Sequence, residues 1–158
     1  MGLKIISGGQ TGADQAGLYA AKCVGIETGG YAPAGFMTLD GVNFRLREMF
    51  NLVSIAGGYK RRTWLNVEHS DCTIRFAFDF KSRGEICTLN AIKHFNKPHF
   101  DVPLNYPITL LMIQDIGDWI IENDFEVINI AGNAQSKTRD VYTPVYSTMC
   151  KILDYIKE

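Results

Sequence analysis

The chain has no apolar run long enough to cross a bilayer. Its longest, "ITLLMI" from Ile108 to Ile113, falls far short of the roughly 20 residues that a helical span needs, and the N-terminus shows no signal-peptide pattern. A cytoplasmic protein without a membrane partner is expected. An excess of either charge is also missing: 16 basic residues meet 17 acidic ones, so no global field gathers nucleic acid, and any anion site has to be local. Cysteine is sparse. Cys23, Cys72, Cys87 and Cys150 form no C-x-x-C pair and have no histidine at ligand spacing, which speaks against a protein-ligated metal and for reduced thiols in or near the core. None of His69, His94 and His99 has a partner at catalytic spacing, and no nucleophile–base pair is visible. Internal repeats and low-complexity linkers are absent too, so a single domain spanning residues 1–158 is expected.

What is present is an alternation of short apolar runs and helical periods. Leu3 to Ser7, Thr73 to Phe78, His99 to Val102 and Val127 to Ala131 are too short for helices and continuous rather than alternating, as strands covered on both faces are. Between them, Ala13, Ala16, Gly17, Ala20 and Val24 share one helical stripe, and Val145, Met149, Ile152 and Ile156 share another. The small residues of the first stripe let its helix lie close against a sheet. The order of strands and helices gives an α/β fold: a doubly wound, mainly parallel sheet with helices on both faces, whose ligands sit beyond the carboxyl ends of the strands. The stretch from Thr28 to Gly41, "TGGYAPAGFMTLDG", is the longest without periodicity. A functional loop over the site is expected there, with Tyr31, Phe36 and the following Phe44 exposed as an oligomer contact or lid.

The opening "KIISGGQTGAD", Lys4 to Asp14, reads as strand, turn and helix start. Gly8 and Gly9 permit backbone paths that a side chain forbids, and Gly12 removes bulk where the helix begins. Free N–H groups of such a turn converge on one spot and make an anion site at the positive end of a helix. Thr11-x-x-Asp14 also has the form of a capping box, with Thr11 as N-cap. Capping alone leaves Gly8, Gly9 and Gln10 unexplained, which favours a ligand turn in which Gln10 and Asp14 read neighbouring hydroxyl or amine groups. The phosphate-binding Lys of a P-loop and the spacing of G-x-G-x-x-G are both missing.

Four spaced motifs carry a resemblance: "GGQTGAD" (Gly8 to Asp14), "GGYAPAG" (Gly29 to Gly35), "RTWLNVEHSDCTI" (Arg62 to Ile74) and "AGNAQSK" (Ala131 to Lys137). In order, and over nearly the whole chain, they resemble the putative molybdenum carrier family, part of the Rossmann-like superfamily that includes the lonely-guy phosphoribohydrolases, once named lysine decarboxylases. The resemblance implies a cytosolic homo-oligomer, dimer or tetramer, that binds a phosphorylated nucleotide-like or pterin-like molecule. For algal members that molecule is the molybdenum cofactor, whose dithiolene holds the metal without help from a protein cysteine. A carrier is implied more than an enzyme.

Where the family has a second glycine turn of the form S/T-G-G-T-x-x-T, this chain reads "SRGEICT", with Ser82, Gly84 and Thr88 in place and Arg83 and Glu85 substituted. The turn follows a strand and opens a helix, so its N–H groups can face the first turn across a bound anion. Arg83 can add a charged donor; Glu85 repels phosphate, and together they can equally form a solvated pair worth ~0–1 kcal/mol. A helix is predicted from Tyr59 to Ser70, with Arg62 and Asn66 one turn apart. By pattern alone Lys60, Arg61 and Arg62 read as a solvated basic run; the family match assigns Arg62 and Asn66 to the ligand. Asp71 reads as structural. After the last strand, Gly132, Ser136 and Lys137 offer backbone and side-chain donors to a phosphate, with a plain polar connection as the competing account. The alternative function is an N-glycosidic hydrolase of nucleoside monophosphates, with Glu85 or Asp14 stabilising the oxocarbenium ion or positioning water. Against it stands the missing P-G-G-x-G-T-x-x-E pattern: Thr88 occupies the place of the expected glutamate.

Overall fold

A computed structural model describes residues 2–157. In chain order the elements are β1 (Lys4–Ile6), α1 (Ala13–Val24), β2 (Glu27–Gly29), β3 (Tyr31–Pro33), a 3-10 turn (Ala34–Phe36), β4 (Met37–Thr38), β5 (Gly41–Val42), α2 (Arg45–Glu48), β6 (Val53–Ile55), α3 (Gly58–Glu68), β7 (Cys72–Ala77), α4 (Arg83–Phe95), β8 (His99–Pro103), α5 (Leu110–Glu122), β9 (Val127–Gly132) and α6 (Tyr142–Lys157). The main sheet has five strands in the order β2-β1-β9-β7-β8, and every neighbouring pair is parallel. Helices cover both faces, the doubly wound α/β arrangement of the Rossmann-like class.

The strands have two unlike sides because side chains alternate along them. Cys72, Ile74 and Phe76 of β7 join Ile128 and Ile130 of β9 in the apolar core, packed against Ala16 and Ala20 of α1, Ile113 and Ile116 of α5, and Val145, Met149 and Ile152 of α6. Each fully buried Ile, Met or Phe contributes about 1.5–3 kcal/mol. The small-residue stripe of α1 has the expected consequence: a Cβ on Gly17 would stand 2.9 Å from Ile130 Cβ, so the helix touches β9 directly.

The opposite side is polar although buried. Arg75 and Thr73 of β7 and Asn129 of β9 are all nearly inaccessible. Arg75 grips Asp101 of β8 with Nε and Nη2, at 2.8 and 2.6 Å, and donates from Nη1 to the carbonyl of Glu85 at 2.9 Å. A buried guanidinium thus fixes the first turn of α4 to the sheet. Above this side lie α3 and α4, packed through Val67, Ala91 and Ile92. Lys97, just past α4, donates from Nζ to the carbonyls of Glu68 (3.0 Å) and Ser70 (2.6 Å) at the end of α3. With their C-terminal ends pinned together, the two helices run parallel, and both N-termini lie at the carboxyl edge of the sheet.

Three expectations need correction. The stretch from Thr28 to Gly41 is not one loop: it contains the end of β2, all of β3 and β4 and the 3-10 turn, with β3 pairing in parallel to β6 in a separate two-stranded sheet. Two- and three-residue strands are too short to show a period. Phe36 is buried with Leu18, Leu46, Phe50 and Leu52, so only Phe44 of the three aromatics is exposed. Cys23 lies on the surface, while Cys72 is buried and all four thiols are free. Asp71 is structural, as expected: its Oδ2 accepts the amides of Glu126 and Val127, both at 2.8 Å, and holds the entry to β9. Among the described residues no helix is long and apolar enough to cross a membrane.

Candidate functional site

A cleft of about 710 Å³ opens at the carboxyl ends of β1, β7 and β9, where an open parallel sheet places its ligands and within the size range of small-molecule sites. Gly8, Gln10 and Asp14 line it from the β1–α1 turn, Tyr59, Lys60, Arg62, Thr63 and Asn66 from α3, Ser82, Arg83, Gly84, Glu85, Cys87 and Thr88 from α4, and Asn129, Gly132 and Asn133 from β9 and its exit. Leu39, of the β4–β5 connection, reaches the same cleft.

The β1–α1 turn differs from expectation. Three of its amides are spent on the chain's own acceptors: Gly9 donates to Ser7 Oγ, Gln10 to Asp14 Oδ2 and Thr11 to Gln10 Oε1. A nest of free donors for an oxyanion is therefore not what this turn supplies. Nor is there a capping box, because the N-cap of α1 is Gly12 and no side chain caps it. Gly9, Thr11 and Gly12 do not line the cleft. Gly9 is turned toward Leu46 and Leu52, and Gly12 lies against the backbone of Asn133 to Gln135. Gln10 Oε1 also accepts the amide of Leu39 at 2.9 Å, which ties the β4–β5 connection to the cleft.

Asp14 and Arg62 form a buried ion pair across the cleft floor, Nη1 to Oδ2 at 3.1 Å. Gly8 has to be glycine for this: a Cβ there would overlap the Arg62 guanidinium. Burial pushes the Asp14 carboxyl above its ordinary range, against the opposing pull of the Arg62 charge and the Gln10 amide. Arg62 is 9% exposed, and its Nε has no acceptor among the described residues. Asn66 lines the wall, but both of its polar ends clamp β3: Oδ1 accepts the Tyr31 amide at 2.9 Å and Nδ2 donates to the Tyr31 carbonyl at 3.0 Å. Its role in the structure is to hold the small sheet. Thr88 likewise donates to the carbonyl of Gly84 one turn back.

The β7–α4 turn has open donors. The amides of Arg83, Gly84 and Glu85 find no acceptor among the described residues, and these are the positive end of a 13-residue helix. Glu85 is turned back on its own turn, with Oε2 accepting from Ser82 Oγ at 2.9 Å and from Asn133 Nδ2 at 2.8 Å. Asn133, not singled out as a site residue by the sequence although it lies within "AGNAQSK", also accepts the amides of Phe78 and Asp79 and donates to the Asp79 carbonyl. One side chain thus couples the β7–α4 turn to the end of β9. Ser136 and Lys137 do not line the cleft: Ser136 Oγ accepts the amides of Thr138 and Arg139 within its own loop, and Lys137 is exposed. Gly84 and Gly132 meet in one cleft, and Gly9 does not join them. Among the described residues no group of three or more His, Cys, Asp or Glu could hold a metal ion.

Burial is also the main cause of a raised Glu85 carboxyl, with the Asp14 charge adding to it and the Ser82 and Asn133 hydrogen bonds and Arg75 opposing it. The folded protein therefore holds this proton to higher pH than the unfolded chain, whose value is near 4.5. The cost of an ionised Glu85 is absent below that value and fully present once pH has risen through the folded-state value. Glu85→Gln keeps an acceptor for Ser82 and Asn133. It is expected to be more stable than the parent near neutrality, with the difference shrinking as pH falls toward 4. Denaturation midpoints measured across that range check the slope, and a variant less stable than the parent at neutral pH contradicts it.

The family model described as "Circularly permutated YpsA SLOG family" matches residues 5–153 of the chain. The crystal structure of a protein named putative molybdenum carrier protein, from Syntrophus aciditrophicus SB, superposes with a TM-score of 0.78 at 29% sequence identity, covering 99% of this chain and 96% of that one. No curated protein matches the chain.

Proposed function

The chain belongs to the circularly permutated YpsA SLOG family, and from that premise we propose that it is a carrier whose cleft binds a phosphorylated, nucleotide-like or pterin-like small molecule, the molybdenum cofactor being the leading candidate cargo. The name of the structural relative supports the cargo class. The cleft supports the phosphate, through one observation above the rest: Gly84. It sits in the first turn of α4 without a positive φ, and a Cβ added there would meet nothing within 4 Å. A helical glycine costs up to about 1 kcal/mol relative to alanine, and here neither packing nor backbone geometry requires one. Close approach of an anion to the open amides of Arg83, Gly84 and Glu85 does. Such a carrier needs no catalytic base. Asp14 and Glu85, which a hydrolase would use to position water, already serve Arg62, Gln10, Ser82 and Asn133.

Gly84→Ala tests the reading because it separates fold from ligand. The variant is expected to equal or exceed the parent in stability without ligand, by up to about 1 kcal/mol, and to lose about tenfold or more in affinity, since the new methyl stands where the anion docks. Thermal unfolding with adenosine monophosphate and with a pterin monophosphate supplies the measurement. At a hundredfold excess over the dissociation constant the parent gains about 2.7 kcal/mol. A parent that gains nothing from either compound or from inorganic phosphate sinks the reading.

A further inference from the structure

The cleft has a second helix start on its rim. β6 leads through Gly57 (φ 105°) and Gly58 (φ 73°) into α3, an 11-residue helix, and no side chain caps it. The amides of Gly58, Tyr59 and Lys60 find no acceptor among the described residues. A Cβ on Gly58 would meet nothing within 4 Å. Because Lys97 pins the far ends of α3 and α4 together, this positive end lies beside that of α4, and Tyr59 and Lys60 line the same cleft as Ser82, Arg83 and Gly84. Packed helices keep their axes about 8–10 Å apart, which sets the scale of the gap between the two sets of amides.

The charge at the start of α3 is the opposite of what the fold alone favours, and α4 opens on a cation. Acidic residues stabilise a helix N-terminus and basic ones oppose it. α3 has no acidic residue in its first turn and carries Lys60 there, with Arg61 following. α4 opens on Arg83, and its one acidic residue, Glu85, is turned onto Ser82 and Asn133. Arg62, in the wall of the same cleft, is nine-tenths buried with Nε unpartnered among the described residues. Two positive helix ends on one cleft, each with a cation in its first turn, and a buried guanidinium with an unpartnered nitrogen are accounted for together by a ligand that brings two negative groups.

We infer that the cleft takes a small molecule with two separate anionic groups, one on the first turn of α4 and one on the first turn of α3, held apart by a sugar- or ring-sized spacer. This inference rests on the carrier reading and narrows it: a phosphorylated pterin that also carries an anionic metal dithiolene brings two negative groups, and a simple monophosphate brings one.

The test compares adenosine 3′,5′-bisphosphate with adenosine 5′-monophosphate by calorimetry or thermal shift, on the full chain and on Lys60→Gln. The bisphosphate is expected to bind at least about tenfold more tightly, the scale of one added charge-assisted contact, and Lys60→Gln to bring that ratio toward one. Lys60 is exposed, so the variant is expected to fold. Equal affinities for the two nucleotides overturn the two-anion inference and leave the carrier reading standing. An advantage untouched by Lys60→Gln overturns the assignment to α3. If neither nucleotide, nor a pterin monophosphate, nor inorganic phosphate binds, the carrier reading falls and this inference falls with it.

Discussion

Arg62→Leu is expected to remove about 3–5 kcal/mol of folding stability, the usual cost of leaving one member of a buried ion pair alone. Asp14 is only 6% exposed and has two side-chain-directed partners, the Arg62 guanidinium at 3.1 Å and the Gln10 amide at 3.2 Å. Without the first, burial that already pushes the carboxyl upward is opposed only by the backbone amides of Gln10 and Gly8. The variant is then expected to take up a proton on Asp14, and to regain part of its stability in mild acid. The double variant Arg62→Leu/Asp14→Asn is expected to recover most of the loss, because the two residues are in contact and their effects do not add. Urea unfolding of the parent, the two single variants and the double variant closes the cycle. A double variant as unstable as Arg62→Leu would mean that Arg62 acts through packing and not through Asp14. A recovered fold that no longer binds anion would show why the chain keeps so costly a pair.

The sheet was legible in the sequence because its central strands are buried on both sides. β1, β7 and β9 are continuous stretches with no competing helical period, and α1 and α6 carry stripes of one clear spacing. The polar underside was harder to see. Arg75, in the middle of β7, interrupts no pattern that a reader would notice, yet it anchors α4 to the sheet. At the site, the motifs located the cleft but not the division of labour within it. Gly8 and Asp14 are there to seat Arg62, Asn66 is there to hold β3, and the first turn consumes three of its own amides. Whether a donor is free depends on partners 29 to 55 residues away in the chain, such as Leu39 for Gln10 and Asp79 and Phe78 for Asn133. Spacing within a motif does not encode that. The glycine pair opening α3 was visible as residues, but the strand before it is three residues long and gave no signal that a βα turn was being read.

Gly132 makes the same distinction by experiment. It lies at the end of β9 with φ 151°, paired to Phe76 of β7, and a Cβ there would overlap the Phe76 carbonyl oxygen and stand 2.8 Å from Ala13 Cβ. Neither neighbour can move away cheaply, since one is the backbone of the adjoining strand β7 and the other begins α1. Strain at a glycine-only conformation costs about 1–3 kcal/mol and overpacking about as much again, so Gly132→Ala is expected to lose about 3–5 kcal/mol. Read from sequence, Gly84 and Gly132 look alike, a glycine after a strand in a polar turn. One is demanded by the meeting of β7, β9 and α1, and the other by nothing in the protein itself. Chemical denaturation of the two alanine variants side by side should therefore give shifts of opposite sign or very unequal size. Equal destabilisation would mean that Gly84 also has a structural partner, and the strongest support for an anion at the start of α4 would be lost.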